Sequence, residues 1–384
     1  MKRYLRRLAA VLMLILPIGT LVSCTGGGGA GDANEIVVGE YGSLTGSTAT
    51  FGKSTHEGVM LATEQLNAAG GINGKKVRII VEDDQSKPEE AATAVTKLIN
   101  QDKVVALIGE VASSRTLAAA PIAQSNKIPM ITPSSTNPKV TQVGDYIFRV
   151  CFLDSFQGAL AARFVGNTLK LKRAAILYDV KNDYSVGLRG FFTDELKKLG
   201  GEIVAEQSYS EGDSDFRAQL TQLKAAKPEI IYVPGYYTEA GTIARQSRDL
   251  GMTVPLLGGD GWESPKLFEI GGDALNGSYY SNHYSVDDPS PLIQRFVKEY
   301  QTKYGTVPDS LAALGYDAAN ILFEAIKRAG TTDGPKLREA IAQTTSFAAV
   351  TGNITIGKDR DAVKSAVVLK LQDGKTPVVE TFAP

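Results

Sequence analysis

At 384 residues the chain is too long for one small core and divides most naturally into two domains. Its 41 Lys+Arg against 42 Asp+Glu exclude the basic excess of a nucleic-acid binder, and 43% hydrophobic with 22% charged residues is an ordinary globular composition. Two histidines, His56 and His283, far apart and without ligand-spaced companions, exclude a His/Cys zinc site on count.

The first 23 residues carry a basic start (Lys2, Arg3, Arg6, Arg7) and an apolar run, Leu8–Ile18, too short to span a bilayer as a helix. They are expected to form a secretory signal, and removing them leaves 37 basic against 42 acidic side chains, a mildly acidic mature protein. Residues 24–35, beginning Cys24-Thr25-Gly26-Gly27-Gly28-Gly29, cannot bury a core and are expected to be a flexible tether. Cys151, the other cysteine, lies between Val150 and Phe152 and reads as a small buried hydrophobe.

From Glu35 onward short β-rich runs alternate with amphipathic helical patterns, which predicts an α/β fold with mostly parallel sheets. A strand over Ile36–Glu40 leads to a helix near Gly52–Ala69, a Gly-rich turn and a strand over Lys76–Glu82. Pro88 opens the next helix, at a position where its missing N–H costs nothing. Strands over Val104–Ile108 and Ile128–Ile131 flank a helix over Thr116–Ser125, and each ends in small hydroxyl residues, Ser113-Ser114 and Ser134-Ser135-Thr136. In open parallel sheets ligands sit outside the carboxyl ends of the strands, so two such ends side by side suggest an anion cradle. Singly, each serine reads as a cap or turn residue.

After Phe148–Phe152 the alternation restarts, with strands at Ala174–Asp179, Glu202–Tyr209, Ile230–Val233 and Val254–Leu257. The intervening helices are Gly187–Leu199, Asp215–Ala226 and Glu239–Leu250. A strand-like Ser278–His283, three helices (about Pro291–Tyr304, Asp309–Ala329, Pro335–Gln343) and short strands at Asn353–Ile356 and Ala366–Leu371 complete the chain. Two similar lobes are expected, residues 36–154 plus 285–350 and residues 155–284 plus 351–384, with the chain crossing between them more than once.

Catalytic motifs do not assemble. Gly46 to Gly52-Lys53-Ser54 has five intervening residues where a phosphate-binding loop needs four, and no nucleophile elbow occurs. Asp83-Asp84 precede a helix and read as stabilising its positive end; Arg115 reads as facing solvent, with direct anion binding as the alternative. What remains is a set of strand-end residues in the second lobe, Tyr184, Tyr236, Asp260 and Trp262. Facing the hydroxyl cradle, they offer a carboxylate for a ligand cation and aromatic faces for its apolar part.

Several of these stretches together resemble the type I periplasmic substrate-binding proteins. They are Leu21-Val22-Ser23-Cys24, Ser43-Leu44-Thr45-Gly46, Leu66-Asn67-Ala68-Ala69-Gly70-Gly71-Ile72-Asn73-Gly74-Lys75, Val81-Glu82-Asp83-Asp84, Ile108-Gly109, Ile131-Thr132-Pro133 and Asp260-Gly261-Trp262. The chain is most similar to the leucine/isoleucine/valine-binding branch that serves ABC importers. The resemblance implies two Rossmann-like lobes joined by a three-crossover hinge, and a protein with no cofactor and no catalytic residues. It further implies a monomer that binds a small-molecule amino acid, docks on ABC permease subunits and touches the membrane only through a lipid on Cys24.

By position, Ser113 and the Ala112–Ser113 backbone would hold the ligand's α-carboxylate, with the Thr136 N–H. The Ser134 carbonyl, the Thr136 hydroxyl and Asp260 would hold its ammonium, Tyr184 and Tyr236 would close from lobe two, and Phe51 would line the side-chain pocket. Asp260 stands where family members often carry the longer glutamate. A ligand-sensing receptor of the same fold, acting with a separate signalling partner, is the alternative function.

Overall fold

The computed structural model describes residues 34–384. The expected signal segment and Cys24 lie outside these residues; Glu35, assigned to the tether, already belongs to the first strand.

The first sheet has the order β2-β1-β3-β4-β5, all parallel. Its strands and connecting helices are β1 (Glu35–Gly42), α1 (Ala49–Ala68), β2 (Lys76–Asp83), α2 (Pro88–Asn100), β3 (Leu107–Ile108), α3 (Ser113–Ser125), β4 (Met130–Thr132), α4 (Lys139–Gln142) and β5 (Ile147–Arg149). The turn after α1 is held by Asn67, whose amide donates to the Val77 carbonyl at 2.7 Å and accepts the Val77 N–H at 2.8 Å. Gly71 there has φ +74°, and an added Cβ would lie 2.0 Å from the Lys75 carbonyl oxygen, so only glycine fits.

The second sheet begins after α5 (Asp154–Arg163), which widens into a π-helical turn at Phe164–Thr168. It comprises β6 (Arg173–Asp179), α6 (Asp183–Lys198), β7 (Glu202–Tyr209), α7 (Arg217–Ala225), β8 (Ile230–Val233), α8 (Tyr237–Asp249), β9 (Leu256–Gly258), α9 (Pro265–Gly271) and β10 (Ser278–Asn282). The chain then returns to the first lobe with α10 (Pro291–Tyr304), α11 (Ser310–Ala329) and α12 (Gly334–Ala342), followed by a small antiparallel sheet of β11 (Phe347–Ala349), β12 (Gly352–Ile356) and β13 (Ala362–Val363). Finally β14 (Ala366–Leu371) and β15 (Val378–Phe382) add antiparallel strands to the second sheet, giving β15-β14-β10-β9-β8-β6-β7.

The chain therefore passes between lobes three times, at residues 150–153, 283–290 and 364–365. Ile354, Ile356 and Ala362 pack in one apolar cluster with Ile36, Val38 and Leu322 of the first lobe. Residues 351 to about 365, expected in the second lobe, thus belong with the first, because the small sheet covers α11 before β14 crosses back. Helix α11 lies close against α1: a Cβ at Gly58 would meet the Ala312 carbonyl oxygen at 2.0 Å, and one at Gly315 the Thr55 oxygen at 2.4 Å.

Other departures are local. The strand expected over Val104–Ile108 is regular only at Leu107–Ile108, although the Val105 N–H still donates to the Val37 carbonyl at 2.9 Å. Helix α3 starts three residues before Thr116, which puts both serines in its first turn. Helix α6 starts at Asp183, four residues before the expected Gly187, because Asn182 caps it by accepting the Tyr184 and Ser185 N–H groups. Among the described residues no helix is long and apolar enough to cross a membrane.

Candidate ligand-binding cleft

A small cavity lies between the two lobes. Phe51, Val111, Ser113, Ser134, Thr136 and Leu311 line it from the first lobe, and Tyr184, Tyr236, Asp260 and Gly261 from the second. Seven of the eight side chains expected at a site therefore meet there. Ala112 is buried alongside but does not line the cavity, and its N–H donates to the Glu110 carboxylate, so the Ala112 amide is not open to a ligand.

The cradle is built on the start of α3. The first N–H groups of a helix have no partner four residues back, so Ser113 offers its amide to the cleft. Its hydroxyl oxygen accepts the Asn137 N–H at 3.2 Å, while the Ser134 hydroxyl donates to the Val111 carbonyl at 3.0 Å. The Thr136 hydroxyl is buried beside the Asp154 carboxyl, with no well-formed hydrogen bond. Behind this loop Arg149 braces the second hydroxyl cluster, donating to the carbonyls of Ser135 at 2.5 Å and Asn137 at 2.8 Å.

Beneath the cradle sits a charged cluster that does not face solvent. Arg115 is buried: its Nε lies 3.1 Å from Glu110, its Nη2 donates to the Thr48 hydroxyl at 2.7 Å, and Nη1 reaches the Ser86 carbonyl at 3.4 Å. This corrects the solvent-facing reading of Arg115 and leaves no part of it in the cavity lining. Nor do Asp83 and Asp84 serve the start of α2. Asp83 accepts the Leu44 and Thr45 N–H groups at 3.0 and 3.1 Å, and Asp84 accepts the Ser43 hydroxyl and the Ser86 N–H, each at 2.9 Å. Burial, with Glu110 next to it, pushes the Asp84 carboxyl up to about 8.

On the opposite wall, the turn after β9 presents Asp260. Its Oδ1 accepts from Gln157 Nε2 at 2.7 Å and the Tyr184 hydroxyl at 2.8 Å, and its Oδ2 lies 2.9 Å from His283 Nε2. Glycines permit this approach: a Cβ at Gly259 would stand 2.3 Å from the Tyr184 oxygen, and one at Gly258 2.2 Å from the Trp262 ring. Trp262 is a packing residue, fully buried, with its indole N–H on the Val233 carbonyl at 3.0 Å. Tyr184 stacks on Tyr236 at 5.3 Å between ring centroids, and Phe51 meets the edge of Tyr236 at 5.6 Å.

Gln157 and His283 were not among the residues expected here. Gln157 sits on α5, which has no clear sequence signature, and His283 on a crossover; the strand-end position of Ser278–His283 is the one signal that pointed toward the latter. Burial pushes the His283 imidazole down to about 4, so it meets Asp260 as a neutral donor through Nε2. Cys151 is fully buried, and its thiol is pushed up to about 12. Among the described residues, no three potential metal ligands gather.

The lobes also touch at the rim of the cleft. The Ser114 hydroxyl donates to Asp183 Oδ2 at 3.1 Å and accepts the Asp183 N–H at 2.9 Å, and Asn137 donates to the Asp183 carbonyl at 2.7 Å. At the other end Thr238 donates to the Ser47 carbonyl at 3.0 Å, and the Thr50 and Ser264 hydroxyls are 3.0 Å apart.

Residues 35–376 match the family model described as periplasmic binding protein. The leucine-, isoleucine-, valine-, threonine- and alanine-binding protein of Pseudomonas aeruginosa is 30% identical over 86% of this chain and 87% of its own. Among solved structures, the leucine-binding protein LivK of Thermotoga maritima is 42% identical with a TM-score of 0.88, over 91% of this chain and 99% of that one. The branched-chain amino acid transporter substrate-binding protein LivJ of Streptococcus pneumoniae, in complex with isoleucine, is 34% identical with a TM-score of 0.87, over 91% and 100%. With two lobes of mostly parallel sheet and a cleft between them, the chain belongs to the periplasmic binding protein family, whose members are solute-binding proteins of the type I fold and not enzymes.

Proposed function

We propose that the protein is an extracytoplasmic receptor that binds a branched-chain or related amino acid in the interlobe cavity and delivers it to the permease of an ABC importer. One observation carries this reading. A single small cavity sets a carboxylate, Asp260, opposite a helix start and hydroxyls at Ser113 and Thr136, a polarity matched to a zwitterion. Ser113 and the amides that follow it take the α-carboxylate, with the Thr136 N–H. Asp260, the Thr136 hydroxyl and the Ser134 carbonyl take the ammonium. Charge-assisted bonds of this kind contribute on the order of 1.5–3 kcal/mol each, so they set the ligand's orientation. Phe51, Val111, Tyr184, Tyr236 and Leu311 leave an apolar space for the side chain. The Pseudomonas, Thermotoga and Streptococcus relatives, named for branched-chain and small amino acids, support the same ligand class.

Residues 1–23 are removed as a signal, Cys24 carries the lipid and the glycine-rich stretch after it tethers a monomeric receptor to the membrane. Calorimetry with leucine, isoleucine, valine, threonine, alanine and their amides tests the ligand assignment. Binding of a charge-neutral or dicarboxylic compound with no response to any α-amino acid overturns it. Pull-down from membranes with ligand tests the partner, and recovery of a signalling protein with no permease would favour the sensing role.

A further inference from the structure

The acidic side of the cavity holds more than one carboxyl group. Asp154, the first residue of α5, is fully buried, and its N–H donates to the Thr136 carbonyl at 2.9 Å, which seats it directly behind a cavity-lining residue. The Thr136 hydroxyl beside it is the one side-chain donor that approaches its carboxyl, and no well-formed hydrogen bond reaches either oxygen. Asp260 faces it from the turn after β9, Tyr184 from α6, Tyr232 from β8, Cys151 from the first crossover and Arg149 from β5.

Of these groups only Arg149 is cationic, and it is occupied by Asp361 at 2.6 Å and by the carbonyls of Ser135 and Asn137. His283 reaches Asp260 but is neutral, and Lys364 is engaged with Thr351 and Asp317. Two buried carboxyls without a free cation cannot both ionise, since the second would be an uncompensated buried charge. Asp260 accepts from three donors and Asp154 is approached by the Thr136 hydroxyl alone, so the proton belongs on Asp154. Burial and Asp260 both push the Asp154 carboxyl above the usual range. The unpaired N–H groups at the start of α5 favour the ionised form, so the proton can leave once a cation arrives.

We propose that Asp154 is the proton-exchanging partner of the ligand site, protonated behind Thr136 in the free protein and ionised when the ligand's ammonium reaches Asp260. The Asp154 O–H bond breaks heterolytically, the electron pair stays on the carboxylate, the proton passes to solvent and the ammonium supplies the compensating charge. Asp154 is thus a positioning residue that sets the charge the site accepts. A ligand without an ammonium leaves the proton in place. The inference rests on the amino-acid reading above.

Its test is calorimetry at pH 7 in buffers of low and high ionisation enthalpy, using whichever of leucine, isoleucine, valine, threonine or alanine binds. The expected result is proton release on binding by the native protein, with a dissociation constant that falls as pH rises, by up to about tenfold per pH unit below the Asp154 titration. Asp154→Asn is expected to bind with no buffer dependence. Should that variant fail to fold, infrared difference spectra of the native protein on adding the amino acid decide the matter, since the protonated-carboxyl stretch must disappear. Binding without proton release, or release retained by Asp154→Asn, overturns this inference alone; no binding by any amino acid overturns the ligand assignment itself.

Discussion

His283 and Asp260 face each other across 2.9 Å while the imidazole lies flat on Phe152, ring centroids 3.8 Å apart. The pair joins the acidic wall of the cleft to two of the three crossovers, since Phe152 belongs to the first and His283 to the second. A buried neutral histidine has a definite pH signature. Its folded pKa, about 4, is below the ordinary 6.5, so its contribution to stability is complete above 6.5 and is lost as pH falls toward 4. Urea unfolding at pH 7 and pH 4.5 should show the native protein losing about 2 kcal/mol relative to His283→Gln over that interval. Equal losses in the two proteins would remove the linkage from this residue.

Asp84 carries the opposite sign. Its folded pKa, about 8, stands above the ordinary carboxyl value, so the folded state holds the extra proton and stability declines as pH rises from about 4 to 8. Asp84→Asn keeps the oxygen that accepts from Ser43 and Ser86 and removes the charge. Its thermal midpoint should exceed that of the native protein at pH 8 and the difference should vanish near pH 4.

Replacing Ser113 by alanine and Thr136 by valine together removes the two hydroxyls of the cradle, and with the first of them the acceptor of the Asn137 N–H. Amino-acid affinity should fall by more than about 100-fold, in line with losing two hydrogen bonds to charged groups. Circular dichroism should be unchanged and the thermal midpoint only modestly lower, because the Asn137 N–H loses its acceptor. Native affinity in the double variant would sink the site assignment.

The rim contact between Ser114 and Asp183 forms only when the lobes meet. Ser114→Ala keeps the backbone of the cradle and removes the reciprocal pair, so dissociation of the ligand should quicken by about three- to tenfold with little change in association rate. Stopped-flow measurement reads both rates.

Gly58→Ala would bring a methyl group against the Ala312 carbonyl oxygen, which belongs to a packed helix and cannot swing aside. Separation of α1 from α11 should cost about 1–3 kcal/mol, seen as a lower urea midpoint at unchanged slope.

Much of this architecture is legible in the residues. Alternating β-rich runs and helices announce two α/β lobes, and Ser113, Thr136 and Asp260 stand out because strand ends in such folds collect ligands. Helix α5 is not legible, since Gln157, Gly158, Leu160 and Ala161 are all buried and leave no single apolar stripe to mark it. Gln157 is lost with it. Arg115 reads locally as a solvent-facing residue beside the serines, and only folding brings Glu110 and Thr48 around its guanidinium. Asp83 is misread for the same reason, because the amides it accepts belong to a loop 39 residues earlier.

Trp262 is the only tryptophan of the chain, and its indole is sealed behind Gly258 two residues from Asp260. Tryptophan fluorescence from this molecule therefore has one source, a buried indole. Any change in its colour or intensity on adding a solute reports movement of the turn that carries Asp260, which makes the unlabelled protein its own optical sensor of occupancy.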